Sequence, residues 1–253
     1  MTTHRSALIL ITGSAGRLGR AAVSGLVQAG WKVRGFDRVP TPGTKDFVVG
    51  DLTDAAALAQ AMSGVQMLIH LGATPDDDDF MSSLLPANLV GLHHTLEAAK
   101  DAGVKRMILA STGQVNWWQQ LEGPWPVRTD DPISPRHWYA VTKVAAEAAG
   151  LAFARQFGMT VLLLRLGWCP RTREQVAEIA ASPWAKDVYF SPGDASRFFA
   201  QAMNAELGPG CWTLFVSSRP VQKVVFDLEP TKKLLGWEPL EQWPAGAEED
   251  LNS

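Results

Sequence analysis

Residues Ala7–Thr12 (ALILIT) are apolar without alternation, and the run leads into glycines at positions 13, 16 and 19. A strand with no polar face must be covered on both sides, so it belongs in the interior of a sheet sandwiched between helices. Helical spacing follows at once, with Leu18, Ala22, Leu26 and Val27 on one side and Gly30 as the stop. Further apolar runs at Trp31–Phe36, Asp46–Val49, Gln66–His70, Arg106–Ala110 and Met159–Arg165 predict five more strands. Between them, helical stretches are expected from an Asp54 cap to Met62, from Met81 to Ala102 with Gly103 closing it, and from Arg136 to Phe157. Strands alternating with helices make βαβ units, and right-handed crossovers then give an α/β, Rossmann-like, doubly wound parallel sheet. After Arg165 the alternation breaks into shorter pieces rich in Pro, Gly and Trp. The expected organisation is a nucleotide-binding unit over 1–165 and a small substrate-covering region over 166–253 that does not fold alone.

Length and charge bound the rest. A chain of 253 residues can bury one large core. A net charge of −3 gives no electrostatic case for nucleic acid or an anionic membrane. Cys169 and Cys211 are too few for a disulfide framework, and no Cys/His clustering suggests a metal. No stretch approaches the ~20 apolar residues that a membrane span requires. The expectation is a soluble, cytoplasmic protein with a small-molecule partner.

The turn Gly13-Ser14-Ala15-Gly16-Arg17-Leu18-Gly19 joins a strand to a helix. Gly13 would make the tight turn, Gly16 would let the backbone approach a pyrophosphate, and Gly19 would allow close helix–strand packing. The N–H groups at the start of the helix would then face the phosphates. A structural turn needing positive φ would use the same glycines. Asp37, 24 residues after Gly13, ends the second strand, where a carboxylate can accept from ribose hydroxyls and repel a 2′-phosphate. NAD is therefore expected over NADP, and Arg38 alongside keeps NADP open. Asp51 stands where it could meet the adenine, or serve only as a turn residue.

Tyr139 and Lys143 are spaced i, i+4 and share one helix face. A phenol titrates near pH 10, so acid–base work near neutrality needs a shift of about 3 units, or about 4 kcal/mol. Lys143 and an oxidised nicotinamide ring could provide it. Ser111 follows the fifth strand at the C-terminal edge of the sheet, where such folds bind ligands, and could hold the substrate oxygen.

Together these residues resemble the extended short-chain dehydrogenases/reductases of the epimerase/dehydratase group. TGSAGRLG at 12–19, DL at 51–52, HLGA at 70–73, NLVGL at 88–92, YAVTK at 139–143, SPGDASRFFAQAM at 191–203 and LGWEP at 235–239 all match its layout. The resemblance implies a cofactor contact at Leu52, cofactor-lining roles for Leu71, Gly72 and Ala73, and Asn88 on the nicotinamide side. It also implies Thr112 beside the catalytic serine, Tyr139 as base for hydride transfer, and a homodimer through the helices near 81–102 and 136–157. In length and late motifs the chain looks like bacterial uronate dehydrogenases, which oxidise free hexuronic acids at C1. It departs from them where substrate should bind. Thr112-Gly113-Gln114 stands where they carry Asn-His, and Pro75 replaces a small hydroxyl residue.

Arg171 or Arg173 could form the fork that a carboxylate prefers. The run Asp76–Asp79 would oppose an anion if it faced the cleft, and is otherwise a solvated loop tip. The chain has ten tryptophans against two tyrosines. Trp117, Trp118, Trp125 and Trp138 could stack on a sugar or pack a cap or dimer face. Three functions fit: an NAD-dependent dehydrogenase of a small sugar, sugar acid or alcohol; an epimerase or dehydratase with transiently reduced NAD; and a non-enzymatic NAD-binding regulator. The lack of an acidic pair beside Ser111 counts against a dehydratase, and the intact Tyr139 and Lys143 count against a regulator.

Overall fold

The computed structural model describes residues 6–249 and 251. Along the chain run β1 (Leu8–Thr12), α1 (Arg17–Gln28), β2 (Lys32–Asp37), β3 (Phe47–Val49), α2 (Ala55–Met62), β4 (Met67–His70), α3 (Gly91–Asp101), β5 (Arg106–Thr112) and α4 (Trp117–Glu122). There follow α5 (Trp138–Phe157), β6 (Thr160–Leu166), α6 (Arg173–Ala181), α7 (Pro192–Asn204), β7 (Gly210–Val216) and α8 (Glu229–Leu235). Among the described residues seven strands form one parallel sheet in the order β3-β2-β1-β4-β5-β6-β7. The order reverses direction at β1, and a crevice opens there beyond the carboxyl ends of β1 and β4.

Both sheet faces are covered, as the unbroken apolar runs require. Ile9, Ile11, Ile108, Leu162 and Leu164 face the layer of α1 and α7, where Leu26, Phe198 and Phe199 are buried. Leu10, Leu68, Met107, Leu109 and Leu163 face α2, α3 and α5. Ile9, Leu10 and Ile11 retain no exposed surface, and full burial of each such side chain is worth about 1.5–3 kcal/mol. Gly25 of α1 lies against the Ser196 backbone of α7, where a methyl group would meet the carbonyl oxygen. That contact seats α7 as a full member of the helical layer.

Three departures from the sequence expectation matter for the site. The sheet does not stop near residue 165: β7 pairs with β6 along its whole length, so the later residues complete the sheet as well as cover it. Gly and Trp in GCWTLFV mask that strand's apolar run. The single helix expected from Met81 to Ala102 is two pieces. Phe80–Val90 winds in wider turns, with Leu84 N–H bonding to Asp79 O, before α3 begins. Pro86 has no N–H to donate and sits within this segment. Finally, β5 runs to Thr112 rather than Ala110, which puts Ser111 and Thr112 inside a strand, on opposite faces.

Candidate active site

A cleft of about 1260 Å³ runs along the carboxyl ends of the strands. One end is made by the turn after β1. Gly13 has φ +69°, and a Cβ there would meet Gly72 N at 2.6 Å. A Cβ on Gly19 would be driven into the Gly13 carbonyl. Gly16 is the N-cap of α1 and offers no side-chain cap, so the first N–H groups of that helix open toward the cleft. These groups form a cradle suited to a pyrophosphate. Asp37 closes β2 beside it, accepting from Ala15 N at 3.0 Å and from Arg38 N at 2.7 Å. Ala15, Leu18, Arg38, Asp51, Leu52, Leu71, Gly72 and Ala73 also line the cleft. Asp51 accepts from Thr53 N and Oγ1, and these bonds hold its carboxyl below the usual range. The donors and the carboxylate thus suit a dinucleotide.

Arg17 and Asn88 stand differently from what the sequence suggested. The Arg17 side chain is buried and turned toward the C-terminal region, donating to the carbonyls of Pro170, Gly246 and Ala247. Its backbone, rather than its guanidinium, serves the turn. Asn88 is buried beneath the cleft wall, exchanging bonds with Thr74 N (2.8 Å) and O (3.0 Å) and donating to Thr142 Oγ1 (3.1 Å). Thr142 in turn bonds to the Tyr139 carbonyl at 2.7 Å, so Asn88 ties the loop after β4 to the first turn of α5.

Tyr139 and Lys143 share the inner face of α5, with the ammonium 5.6 Å from the phenol ring centre. Burial pushes the Lys143 ammonium down to about 8. Burial raises the Tyr139 phenol above its ordinary value and the nearby Asp76 charge adds to this, while Arg171 and the Thr112 hydroxyl oppose it. His70, closing β4, is held neutral by burial, its pKa down to about 3, and its Nδ1 pairs with Thr12 Oγ1 at 2.7 Å.

The two adjacent hydroxyls at the end of β5 part company. Ser111 donates to Glu147 Oε1 at 2.6 Å. Glu147 is clasped by Arg165 through two bonds of 2.9 and 2.8 Å, and Arg165 also reaches Asn116 and Thr129. Ser111 is thereby committed to a buried ion pair joining α5 to β6. The neighbouring Thr112 interacts with the Tyr139 phenol instead. Ser111 lines the cleft as expected, but its hydroxyl proton is already donated to Glu147.

At the far end Pro75, Gly113 and Gln114 line the cleft, with Asp76, Asp77 and Asp78 beside them. The acidic run is a cleft wall and not only a loop tip. Asp76 has φ +61° and forms an ion pair with Arg171. Arg173 is exposed on α6 and does not line the cleft, which leaves Arg171 of the two expected arginines. Of the four tryptophans singled out, Trp117 lines the cleft, edge-on to Trp184 at 5.3 Å. Trp118 and Trp138 are exposed, Trp138 against Phe80, and Trp125 lies under Lys223. Trp168, Trp184, Gln175, Glu178 and His137 are cleft residues that the sequence reading missed. Only the i, i+2 placement of His137 before Tyr139 was a usable signal; the others arrive from later loops.

Comparison with known proteins decides the family. The profile described as NAD dependent epimerase/dehydratase family matches residues 9–168. The chain belongs to the NAD-dependent epimerase/dehydratase family. This family member is 31% identical to L-arabinose 1-dehydrogenase (NAD(P)(+)) of Haloferax volcanii, over 79% of this chain and 84% of that one. It is 30% identical to a uronate dehydrogenase of Pseudomonas putida, over 66% of this chain and 63% of the other. The structure of uronate dehydrogenase from Agrobacterium tumefaciens superposes with a TM-score of 0.77 at 25% identity, covering 97% and 89% of the two chains. These relatives of this family member are named as dehydrogenases of a sugar and of sugar acids, while others are named as dehydrogenases of steroids.

Proposed function

We propose that this protein oxidises a small unconjugated sugar, sugar acid or related alcohol, with NAD as the hydride acceptor and Tyr139 as the base. One observation carries the reading: Tyr139, Lys143 and Thr112 meet at the inner wall of a cleft whose other end is the uncapped start of α1. Asp37 and the Gly13–Gly19 turn would hold the dinucleotide, and the Asp37 carboxylate favours NAD over NADP. When bound, the cofactor supplies the hydride acceptor and a positive charge beside the phenol.

Thr112 holds the substrate oxygen against Tyr139, which takes the hydroxyl proton. Burial alone makes the phenol reluctant to ionise, so Lys143 must be charged and close for Tyr139 to act near neutrality. Asn88 acts through the first turn of α5 by fixing the backbone from which Tyr139 projects. A homodimer would cover the exposed Met81, Trp138 and Val141 on the Phe80–Val90 segment and α5, and the cytoplasm is the expected compartment.

The test is NAD reduction over a panel of aldoses, hexuronates and simple alcohols, with Tyr139→Phe alongside. Turnover of one class should fall about 10³-fold in the variant while NAD affinity stays within a few-fold. Tight NAD binding with no turnover across the panel would sink the dehydrogenase reading.

A further inference from the structure

The substrate end of the cleft is an acceptor-rich wall. Asp76, Asp77, Asp78 and Glu178 all line it, against the guanidinium groups of Arg136 and Arg171. Arg171 is committed to a carboxylate of the protein itself, and Arg136 is stacked on an indole. Arg171 is paired with Asp76 Oδ2, and its backbone N–H donates to Gln175 Oε1 at 2.7 Å. Gln175 Nε2 donates to the same Asp76 oxygen at 3.0 Å, so the carboxylate is held from two sides. Arg136 lies at the rim, its guanidinium 4.2 Å from the centre of the Trp117 ring. Among the described residues, Gln114 Oε1 is buried in the cleft wall without a hydrogen-bond partner, and His137 nearby has its Nδ1 3.6 Å from Asp77. A buried acceptor of this kind calls for an O–H donor. A sugar hydroxyl can supply one; a carboxylate has no proton to give.

We propose that this site selects a neutral sugar over the corresponding uronate, with Asp76 as the specificity-determining residue. The inference rests on the reading of the cleft as a sugar dehydrogenase site and names the class of sugar. Asp76 acts twice. It neutralises Arg171, the fork that would otherwise receive a substrate carboxylate, and it adds a negative charge to a wall already carrying three more. Neutral hydroxyls meet no such penalty and can donate to carboxylate oxygens. Specificity of this sort arises from repulsion and prior pairing rather than from a new attraction.

The experiment compares matched pairs, D-galactose with D-galacturonate and D-glucose with D-glucuronate, in the wild type and in Asp76→Asn. Asparagine tolerates the left-handed backbone of position 76, so the loop should keep its shape. Two readouts are taken: kcat/KM with NAD, and quenching of tryptophan fluorescence as each sugar is titrated into the NADH-loaded protein. Trp117, Trp168 and Trp184 line the cleft and would report binding without turnover. The wild type should favour the neutral sugar at least 10-fold in both readouts. Asp76→Asn, by releasing Arg171, should move the ratio at least 10-fold toward the uronate. A wild type that binds and oxidises the uronate as well as or better than the neutral sugar would overturn the proposal while leaving the dehydrogenase reading intact. An unmoved ratio in Asp76→Asn would remove Asp76 from the role. Preferential binding of the neutral sugar without NAD reduction would support the selectivity and sink the dehydrogenase reading. No binding of any of the four would overturn the proposal and leave the dehydrogenase reading to the wider panel.

Discussion

The two ends of the cleft are made of different material. At the cofactor end the working surface is backbone: glycines at 13, 16 and 19, the first turn of α1, and one carboxylate at the end of β2. At the substrate end it is side chains from loops far apart in sequence, such as Asp76 and Arg171, 95 residues from one another. A surface made of backbone admits few alternatives, because a side chain added at Gly13 or Gly19 would collide with it. A surface made of paired side chains can be rewritten one residue at a time. The dinucleotide cradle is therefore tied to the fold, while the substrate end is open to substitution.

The contrast can be broken most forcefully at Gly19. Gly19→Ala places a methyl group in the Gly13 carbonyl, so it should cost about 3 kcal/mol in urea unfolding and abolish tight NAD binding. A loss below 1 kcal/mol would mean that the turn can relax and is not rigid backbone. Next in size is the pair at the end of β5. Thr112→Ala should lower kcat about 10²-fold with little change in stability. Ser111→Ala should keep kcat within about 3-fold and lower stability by about 1–2 kcal/mol, because Glu147 loses a buried donor. The reverse pattern would restore Ser111 to the substrate.

A third effect is set by His70. Its folded pKa, near 3, lies below the ordinary 6.5, so between those values the unfolded chain binds a proton that the folded chain refuses. Stability should accordingly fall as pH drops from 6.5, by about 2 kcal/mol by pH 5. His70→Asn should flatten that part of the curve; an unchanged slope would place the acid sensitivity elsewhere. The smallest effect is expected at Asp37, where Asp37→Ser should narrow the preference for NAD over NADP by about 10-fold in kcat/KM.

How much of this was legible follows the same divide. The apolar run before Gly13, the glycine spacing and Asp37 are read within a short stretch, because strand, turn and helix N-terminus are local objects. Tyr139 and Lys143 were legible for the same reason, being one helical turn apart. Ser111 and Thr112 were not separable: both are small hydroxyl residues at a strand end, and which one faces the phenol depends on where β5 stops. The Glu147–Arg165 clasp that captures Ser111, and the Asp76–Arg171 pair, arise only once distant elements pack. The break in the 81–102 helix was not read, because the helical spacing runs across Pro86, whose missing donor fits the wider turns there. The strand Gly210–Val216 was hidden because glycine and tryptophan interrupt the apolar pattern that marks the other strands.

The Arg17 guanidinium has a consequence for the order of biosynthesis. It emerges from the ribosome with the first helix, yet its carbonyl partners follow 153, 229 and 230 residues later. Until Gly246 and Ala247 are made, the first turn of α1 carries a cation without the acceptors that will seat it. A nascent chain stopped short of those residues would already hold most of the sheet, but its dinucleotide loop would still be unlatched. Competence to bind the cofactor should therefore wait for the synthesis of Ala247, 230 residues after Arg17, although the glycines of the loop are made long before it.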